Sequence, residues 1–469
     1  MITENRLYDE LAIGESASVK RVCTANDLYV FAHASGNLNP LHLPDDDDNA
    51  QTEAVAPSMW VGALISSVLG NVLPGPGTLY RSQTLRFLDR AHVGDELTIS
   101  VTVKDKLPGG LVMMDTVVQG RGGDTVAEGT AEVLAPERKV RVDMDELPEI
   151  VLQRHMHFDN YIRSCDGLDP LVAAVVAPEE KESLGGALLA ARHGLIRPIL
   201  IGSASLIQQA AKDAGEDLEA YEIIDIPDHV AAARRAVELV NQGLAGAVMK
   251  GHLHTSDLLH QILKSKGGLR RRRRMSHAFV MDVPGLEHPL IISDAAINIT
   301  PDLVTKVDIT QSAIDVALAL GIDKPKVGVL SAVETVNPQI PSTLDAAALS
   351  KMSDRGQIKG GVVDGPLAMD NAMDAEAATT KGVTGLVAGH AEVLIVPNLE
   401  AGNMLAKQLA FVSGAEAAGI ALGASVPVIL TSRADGEKAR LASCAIAVLY
   451  RYWQENGQPI GERLPEAAE

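Results

Sequence analysis

Hydrophobic positions recur along the chain with two different periods, and the change from one to the other divides it. Leu97, Ile99, Val101 and Val103 alternate with polar residues, which predicts a strand with one covered and one wet face. Thr78–Leu88 and Val112–Leu134 read as strands too, the latter as two joined at Arg121–Asp124. Ahead of them, Pro57–Leu73 (PSMWVGALISSVLGNVL) carries no charge and stops at a Pro-Gly. A helix apolar on every side is expected to be buried. At roughly 17 residues and ~25 Å it is short for a membrane span. Leu28–Gly36 reads as a short helix followed by the loop GNLNPLH, and the acidic run Asp45–Asp48 as a solvated loop. One helix wrapped by a long antiparallel sheet is an α+β unit, placed at residues 1–145.

A charge-rich connector, 146–169, precedes a different rhythm. Short apolar runs (Leu171–Val176, Pro198–Gly202, Tyr221–Ile226, Ala245–Lys250, Val327–Ser331, Ile358–Val363, Val393–Pro397, Val426–Thr431) alternate with helical segments. The segments are Ser183–His193, Ser205–Ala214, His229–Gln242, Ser256–Ser265, Asp302–Leu320, Ser342–Asp354, Asp374–Thr380, Asn403–Val412 and Lys438–Trp453. That alternation predicts an α/β domain over 170–469, in two lobes with mostly parallel sheets. Midway lies GGLRRRRRMSHAFVMDVPGLEHPLIISDAAINITP, residues 267–301, with buried strands at Ala278–Val283 and Pro289–Ser293. Arg270–Arg274, Ser276 and His277 precede the first strand; Asp294 and Asn298 follow the second. Guanidinium forks match phosphate oxygens, so five arginines opening such a unit point to a phosphorylated ligand. Taken alone, Asp294 and Asn298 could equally cap the helix that begins near Asp302.

The net charge of −20 excludes a broad nucleic-acid surface, and any positive charge for an anionic ligand must be local. Three scattered cysteines, Cys23, Cys165 and Cys444, without CxxC spacing, fit a reducing compartment with neither a disulfide scaffold nor a zinc site. His252 and His254 in KGHLHTSDLLH have no further His/Cys cluster to complete a metal site, so no metal is expected. The charged start MITENRLYDELAIGE lacks a signal-peptide core. The expectation is a cytoplasmic protein without membrane or nucleic-acid partners.

The first unit has the plan of a hot-dog domain, and Gly36-Asn37-Leu38-Asn39-Pro40-Leu41-His42 followed by Pro57–Leu73 resembles a MaoC-like enoyl-CoA hydratase domain. In that family the loop reads Gly-Asp-x-Asn-Pro-x-His, its Asp and His activate the water, and the central helix, entered through His-Gly, offers an N–H to the thioester oxygen. Here Asn37 replaces the aspartate and Pro57-Ser58 replaces His-Gly, while His42 is kept. An amide does not take up a proton at neutral pH. The resemblance thus implies weak or lost hydratase activity, with Asn37, His42 and Ser58 at the remnant site.

Residues 170–455 resemble the phosphate acetyltransferase/phosphate butyryltransferase family. SDAAINITP is similar to that family's Ala-Asp-x-Ala-Val-Asn-x-x-Pro, and RMSHAFVM to its Arg-Thr-Ser-Gly-x-Phe-x-Met. AEVLIVPNLEAGN, DGPLAMDNA and the Ser432-Arg433 pair fit as well. The whole resembles bifunctional enoyl-CoA hydratase/phosphate acetyltransferases. It implies acyl transfer between acetyl-CoA and phosphate, no permanently bound cofactor, coenzyme A or acyl-CoA as substrate, and a homodimer or larger homo-oligomer. It places Arg274 and Arg433 on phosphate and Ser432 on the thioester oxygen. Arg273, Ser276, Asn298 and Asn403 would contact substrate. Where the family has an aspartate base this chain has Ala439, which leaves Asp435, Glu437 and Asp294 open as the base. Ala295 stands where several relatives carry a cysteine, which fits direct transfer to CoA. Two rival readings remain, a fully bifunctional enzyme and a non-catalytic acyl-CoA-binding module.

Overall fold

A computed structural model describes residues 2–44, 54–143, 155, 157–431 and 436–460. The acidic run Asp45–Asp48, residues 146–154 and 156 of the connector, and Ser432, Arg433 and Asp435 lie outside the described residues. Two compact units divide the chain, Met1–Leu152 and Gln153–Glu469.

In the first unit β1 (Ile2–Glu4) pairs with β7 (Arg141–Asp143). Between them lie β2 (Ser16–Val22), α1 (Ala25–Ser35), α2 (Ser58–Asn71), β3 (Leu79–Phe87), β4 (Glu96–Leu107), β5 (Leu111–Gln119) and β6 (Thr125–Leu134). Strands β2-β4-β5-β6-β3 form one antiparallel sheet. It packs on α2, the hot-dog arrangement, around Ile65, Val68, Leu69, Leu97, Ile99 and Met114. The expectation of a helix buried on all sides fails. Trp60, Val61, Ile65, Val68 and Leu69 form one inward stripe. Ala63, Ser66 and Ser67 lie on the opposite face and are exposed, because small side chains leave a charge-free helix amphipathic in shape even where it is not so in polarity.

The second unit begins with α3 (His157–Ser164), β8 (Leu171–Val176), α4 (Lys181–Arg192), β9 (Ile196–Gly202), α5 (Ala204–Ala214) and β10 (Glu222–Asp225). Then come α6 (His229–Asn241), β11 (Ala247–Lys250), α7 (Thr255–Ile262), β12 (Ser276–Asp282), β13 (Leu290–Ser293) and α8 (Leu303–Ala319). After these follow β14 (Lys326–Leu330), α9 (Pro341–Asp354), β15 (Val362–Leu367), α10 (Met369–Met373), α11 (Ala375–Thr380) and β16 (Val393–Ile395). Last are α12 (Leu399–Phe411), β17 (Glu416–Leu422), β18 (Val428–Ile429) and α13 (Glu437–Asn456). Among the described residues the strands form one sheet of eleven rather than separate sheets, in the order β10-β9-β8-β11-β18-β17-β12-β13-β16-β14-β15.

Two parallel blocks, β10-β9-β8-β11-β18 and β13-β16-β14-β15, flank an antiparallel seam. In the seam β17 runs against both β18 and β12, and β12 against β13. The blocks therefore run in opposite directions, with their carboxyl ends at opposite edges. Strand β17, EAAGIAL, went unread in the sequence because alanine and glycine carry little strand propensity. Its small side chains let α13 approach closely, and Gly419 N–H donates to Ser443 Oγ at 3.0 Å. The helix α8 is capped by Asp302, which accepts from Thr305 N–H at 2.8 Å, so Asp294 and Asn298 are released from that duty. No described helix is long and apolar enough to cross a membrane.

A Cβ at Gly419 would stand 2.4 Å from Leu430 O, a backbone atom in the seam. Gly419→Ala should destabilise the second unit by about 1–3 kcal/mol. At Gly70 in α2 a Cβ meets nothing within 4 Å, and Gly70→Ala should leave the first unit's stability equal or raised by ~0.5–1 kcal/mol. Urea unfolding followed by far-UV circular dichroism measures both.

Candidate active site

At the carboxyl edge of the first parallel block four adjacent strands end together. After β11, Gly251 N–H bonds Val176 O at 2.8 Å and His252 N–H bonds Ala177 O at 2.6 Å. Only glycine fits at 251, since a Cβ would lie 2.3 Å from Ala177 O. Glu179 and Glu180 follow β8. Glu179 accepts from Ser203 N–H at 2.8 Å and faces His229 Nε2 at 2.8 Å. Glu180 Oε1 stands 2.6 Å from His252 Nδ1, so an imidazolium there would be ion-paired. Lys250 is buried, with its ammonium donating to Gly251 O at 3.1 Å. In open α/β sheets ligands bind at carboxyl edges such as this. Sequence reading missed Glu179, Glu180, Ser203, His229 and Lys250. The available signal was that each sits just beyond, or at the end of, a predicted strand. His252, weighed only as a metal ligand, faces Glu180, and His254 occupies the residue before α7.

The residues singled out around the arginine run gather at the other edge. Asp294 is buried, and its carboxylate accepts from Ala296, Ile297 and Asn298 N–H at 3.0–3.1 Å and from Asn298 Nδ2 at 2.5 Å. Asn298 Nδ2 also donates to Met275 O at 2.8 Å. Asn403 Nδ2 donates to Ala295 O at 3.2 Å, and a Cβ on the neighbouring Gly402 would lie 3.0 Å from Ala295 Cβ. These motifs form a bracket that locks the end of β13 to the start of β12 and to α12, with Asp294 as its saturated acceptor. Ser276 Oγ and His277 Nδ1 are buried there without a partner.

The five arginines, with Met275, Ile297, Asn298 and Gly423 among their neighbours, line a cavity of about 260 Å³. Arg273 pairs with Asp315. Arg274 N–H donates to Asp308 at 3.0 Å. Asp302 is held below the usual carboxylate range, mainly by hydrogen bonds from Thr305 and to a smaller extent by the Arg274 charge. In the ladder Ile429 pairs with Ile420 and Ile420 with Ala278. Thr431 is therefore level with Val280, about 20 Å along the sheet from Arg274 at ~3.3 Å per residue. The described chain thus leaves β18 at the edge of Lys250 and His252, away from the arginine run.

In the first unit His42 Nδ1 lies 2.7 Å from Val55 O, and Nε2 has no hydrogen-bond partner among the described residues. Asn37 Oδ1 accepts from Asn39 N–H at 3.3 Å. Ser58 opens α2 after Pro57 and is exposed. His155, Asp282 and Glu416 also converge, with ligand atoms within 4.8 Å of one another. Lys438 Nζ, 3.3 Å from Glu416 Oε2, already supplies a cation there.

Comparison with known proteins gives three findings. The family described as "Phosphate acetyl/butaryl transferase" matches residues 229–448. A phosphate acetyltransferase of Rhizobium meliloti is 54% identical over 293 residues, 62% of this chain and 93% of that one. Among solved structures, a branched-chain phosphotransacylase from Enterococcus faecalis V583 is 29% identical with a TM-score of 0.53, covering 60% of this chain and 99% of that one. The R-hydratase PhaJ1 from Pseudomonas aeruginosa is 42% identical with a TM-score of 0.31, covering 32% of this chain and 99% of its own.

Burial pushes the His277 imidazole down to about 4, against the opposing pull of the Asp294 charge. Between that value and the unfolded 6.5 the unfolded chain holds a proton that the folded one lacks. Stability must therefore fall as pH drops through this window, by on the order of 3 kcal/mol in all. Urea midpoints between pH 4 and 7 should show the slope, and His277→Gln should flatten it.

Proposed function

Since the chain belongs to the phosphate acetyl/butyryl transferase family, we propose that its second unit interconverts acyl-CoA plus phosphate with acyl phosphate plus CoA. A phosphate oxygen attacks the thioester carbonyl, and the tetrahedral intermediate expels CoA thiolate. The proton lost by hydrogenphosphate ends on the sulfur. This needs a cation for phosphate, donors for the developing oxyanion and a group that relays the proton. The observation that carries the reading is the carboxyl edge of β8, β9, β11 and β18. There Ser203 follows β9, Lys250 ends β11 and His252 follows it, and in sequence β18 leads into Ser432 and Arg433. Arg433 is assigned to phosphate, Ser432 with backbone N–H groups to the carbonyl oxygen. His252 and Asp435 are the candidate proton relays. Asp294 drops from that role, because four donors already occupy its carboxylate.

The first unit is proposed as a hot-dog domain of weak or lost hydratase activity, retaining acyl-CoA binding. Among the described residues His42 Nε2 has no hydrogen-bond partner, and Asn37 cannot take up a proton. The protein is read as a cytoplasmic homodimer or larger homo-oligomer. Met404, Phe411 and Val412, which are 66%, 76% and 75% exposed on and just after α12, support association.

Thiol release from acetyl-, butyryl- and crotonyl-CoA, followed with DTNB, should depend on phosphate. Arg433→Ala should lower it at least 10²-fold with unchanged circular dichroism. His252→Asn should lose about 10²-fold if His252 relays the proton; an unaltered rate assigns that role to Asp435. Hydration of crotonyl-CoA should be at background in the wild type and rise in Asn37→Asp.

A further inference from the structure

We infer that the arginine-lined cavity and the groove beside it form a second anion site, for a nucleoside polyphosphate, at the edge of the sheet opposite the proposed transferase centre. The inference goes beyond the transferase reading and does not depend on it.

The cavity is built rather than incidental. The run is anchored at both ends and along its length. Leu269 N–H bonds Ile262 O at 2.8 Å, Ser425 N–H bonds Leu269 O at 2.8 Å, and Arg270 bridges Ala424. Gly423, at φ +89°, passes so close that a Cβ would stand 2.5 Å from Arg274 O. Five consecutive arginines thereby line one small space. Arg273 has its carboxylate partner, and Arg274 sits near Asp302. Among the described residues Arg270, Arg271 and Arg272 have no carboxylate within ion-pair distance, although the chain carries an excess of twenty negative charges. Crowding like charges costs free energy, and an anion entering the cavity would remove that cost.

The second observation fixes what else the anion carries. Arg271 also lines a groove of about 610 Å³, together with Leu171, Leu244, Val426 and Tyr452. Its Nη2 donates to Ser425 O at 3.3 Å, on the rim between the two spaces. The small cavity concentrates arginine, with Leu263, Met275 and Ile297 also in its wall and no aromatic ring. The groove offers an aromatic ring and aliphatic walls, with Arg451 already paired to Glu455 at 2.5 Å. A phosphate chain in the first with a sugar and base in the second uses both. Bare phosphate or pyrophosphate uses only one. The groove lies beside Leu171, Ala245 and Val426, at the strands' amino ends, so it does not open on the edge where Lys250 and His252 converge.

The test is calorimetric titration of the full-length protein with ADP and, separately, with inorganic pyrophosphate, in low and high salt. ADP should bind at least tenfold tighter than pyrophosphate, and salt should weaken it. Arg270→Glu/Arg272→Glu should weaken ADP at least tenfold while leaving phosphate-dependent thiol release within twofold of wild type. Should that variant melt early, Arg270→Gln/Arg272→Gln replaces it, with the same outcomes required. Absence of ADP binding, or ADP binding that the variants leave unchanged, overturns the site. Pyrophosphate binding as tightly as ADP overturns the nucleotide assignment. Loss of thiol release along with ADP binding overturns its separateness, merging it with the transferase centre. A wild type without phosphate-dependent thiol release would refute the transferase alone, because the titration does not use that reaction.

Discussion

The antiparallel seam of β18, β17, β12 and β13 is the constraint on which the second unit's arrangement rests. Each of its three pairings reverses direction, and the count is odd. The two parallel blocks consequently run opposite ways, and neither edge of the sheet is purely an edge of carboxyl ends. Had β17 been absent, β18 would adjoin β12, its parallel neighbour in direction, and the sheet would lose the place where α13 descends onto it. The seam accommodates α13 because β17 is made mostly of small residues. Ala418, Gly419 and Ala421 are fully or almost fully buried, and Gly419 N–H is satisfied by Ser443 of α13. A bulky strand there would push the helix away and leave a backbone donor unmet in the core.

Most of the fold was legible for a simple reason. Parallel strands covered on both faces are continuous apolar runs, so β8, β9, β11 and β16 announce themselves. Alternation in β4 does the same for the first unit. The failures have physical causes. Strand β17 lacks β-branched residues except Ile420, and its burial comes from neighbours, not from its own composition. The exposed face of α2 was hidden because alanine, glycine and serine count as apolar or neutral in sequence yet cover little area. Directional reversal in the sheet cannot be read from any strand by itself, so the separation of the arginine run from the end of β18 was not legible at all.

The candidate site divides along the same line. Residues contiguous in sequence were found easily, and several proved to be architectural. Asp294, Asn298 and Asn403 satisfy backbone groups at a junction of β12, β13 and α12, and a buried carboxylate with four donors is a poor place to deposit a proton. The polar groups of the proposed transferase edge are drawn from turns after separate strands, at Glu180, Ser203 and His252. Their proximity comes from strand order, β9-β8-β11, which is a tertiary fact. Composition helped only by exclusion: an acidic chain forces positive charge to be local.

The first unit has an uncapped helix terminus at the proposed acyl-CoA site and an amide where the resemblance expects a carboxylate. Pro57 supplies no side-chain cap to α2, and the N–H groups of Ser58 and Met59, first in the helix, have no acceptor among the described residues. Such a terminus carries partial positive charge and accepts a thioester oxygen, the more strongly as negative charge develops on it. Stabilisation of that kind supports binding. Acceleration requires in addition a proton acceptor aligned on water, and the position that would complete the pair with His42 holds an amide. A helix terminus kept beside an amide at position 37 would therefore favour holding an acyl-CoA over hydrating it, as proposed for this unit.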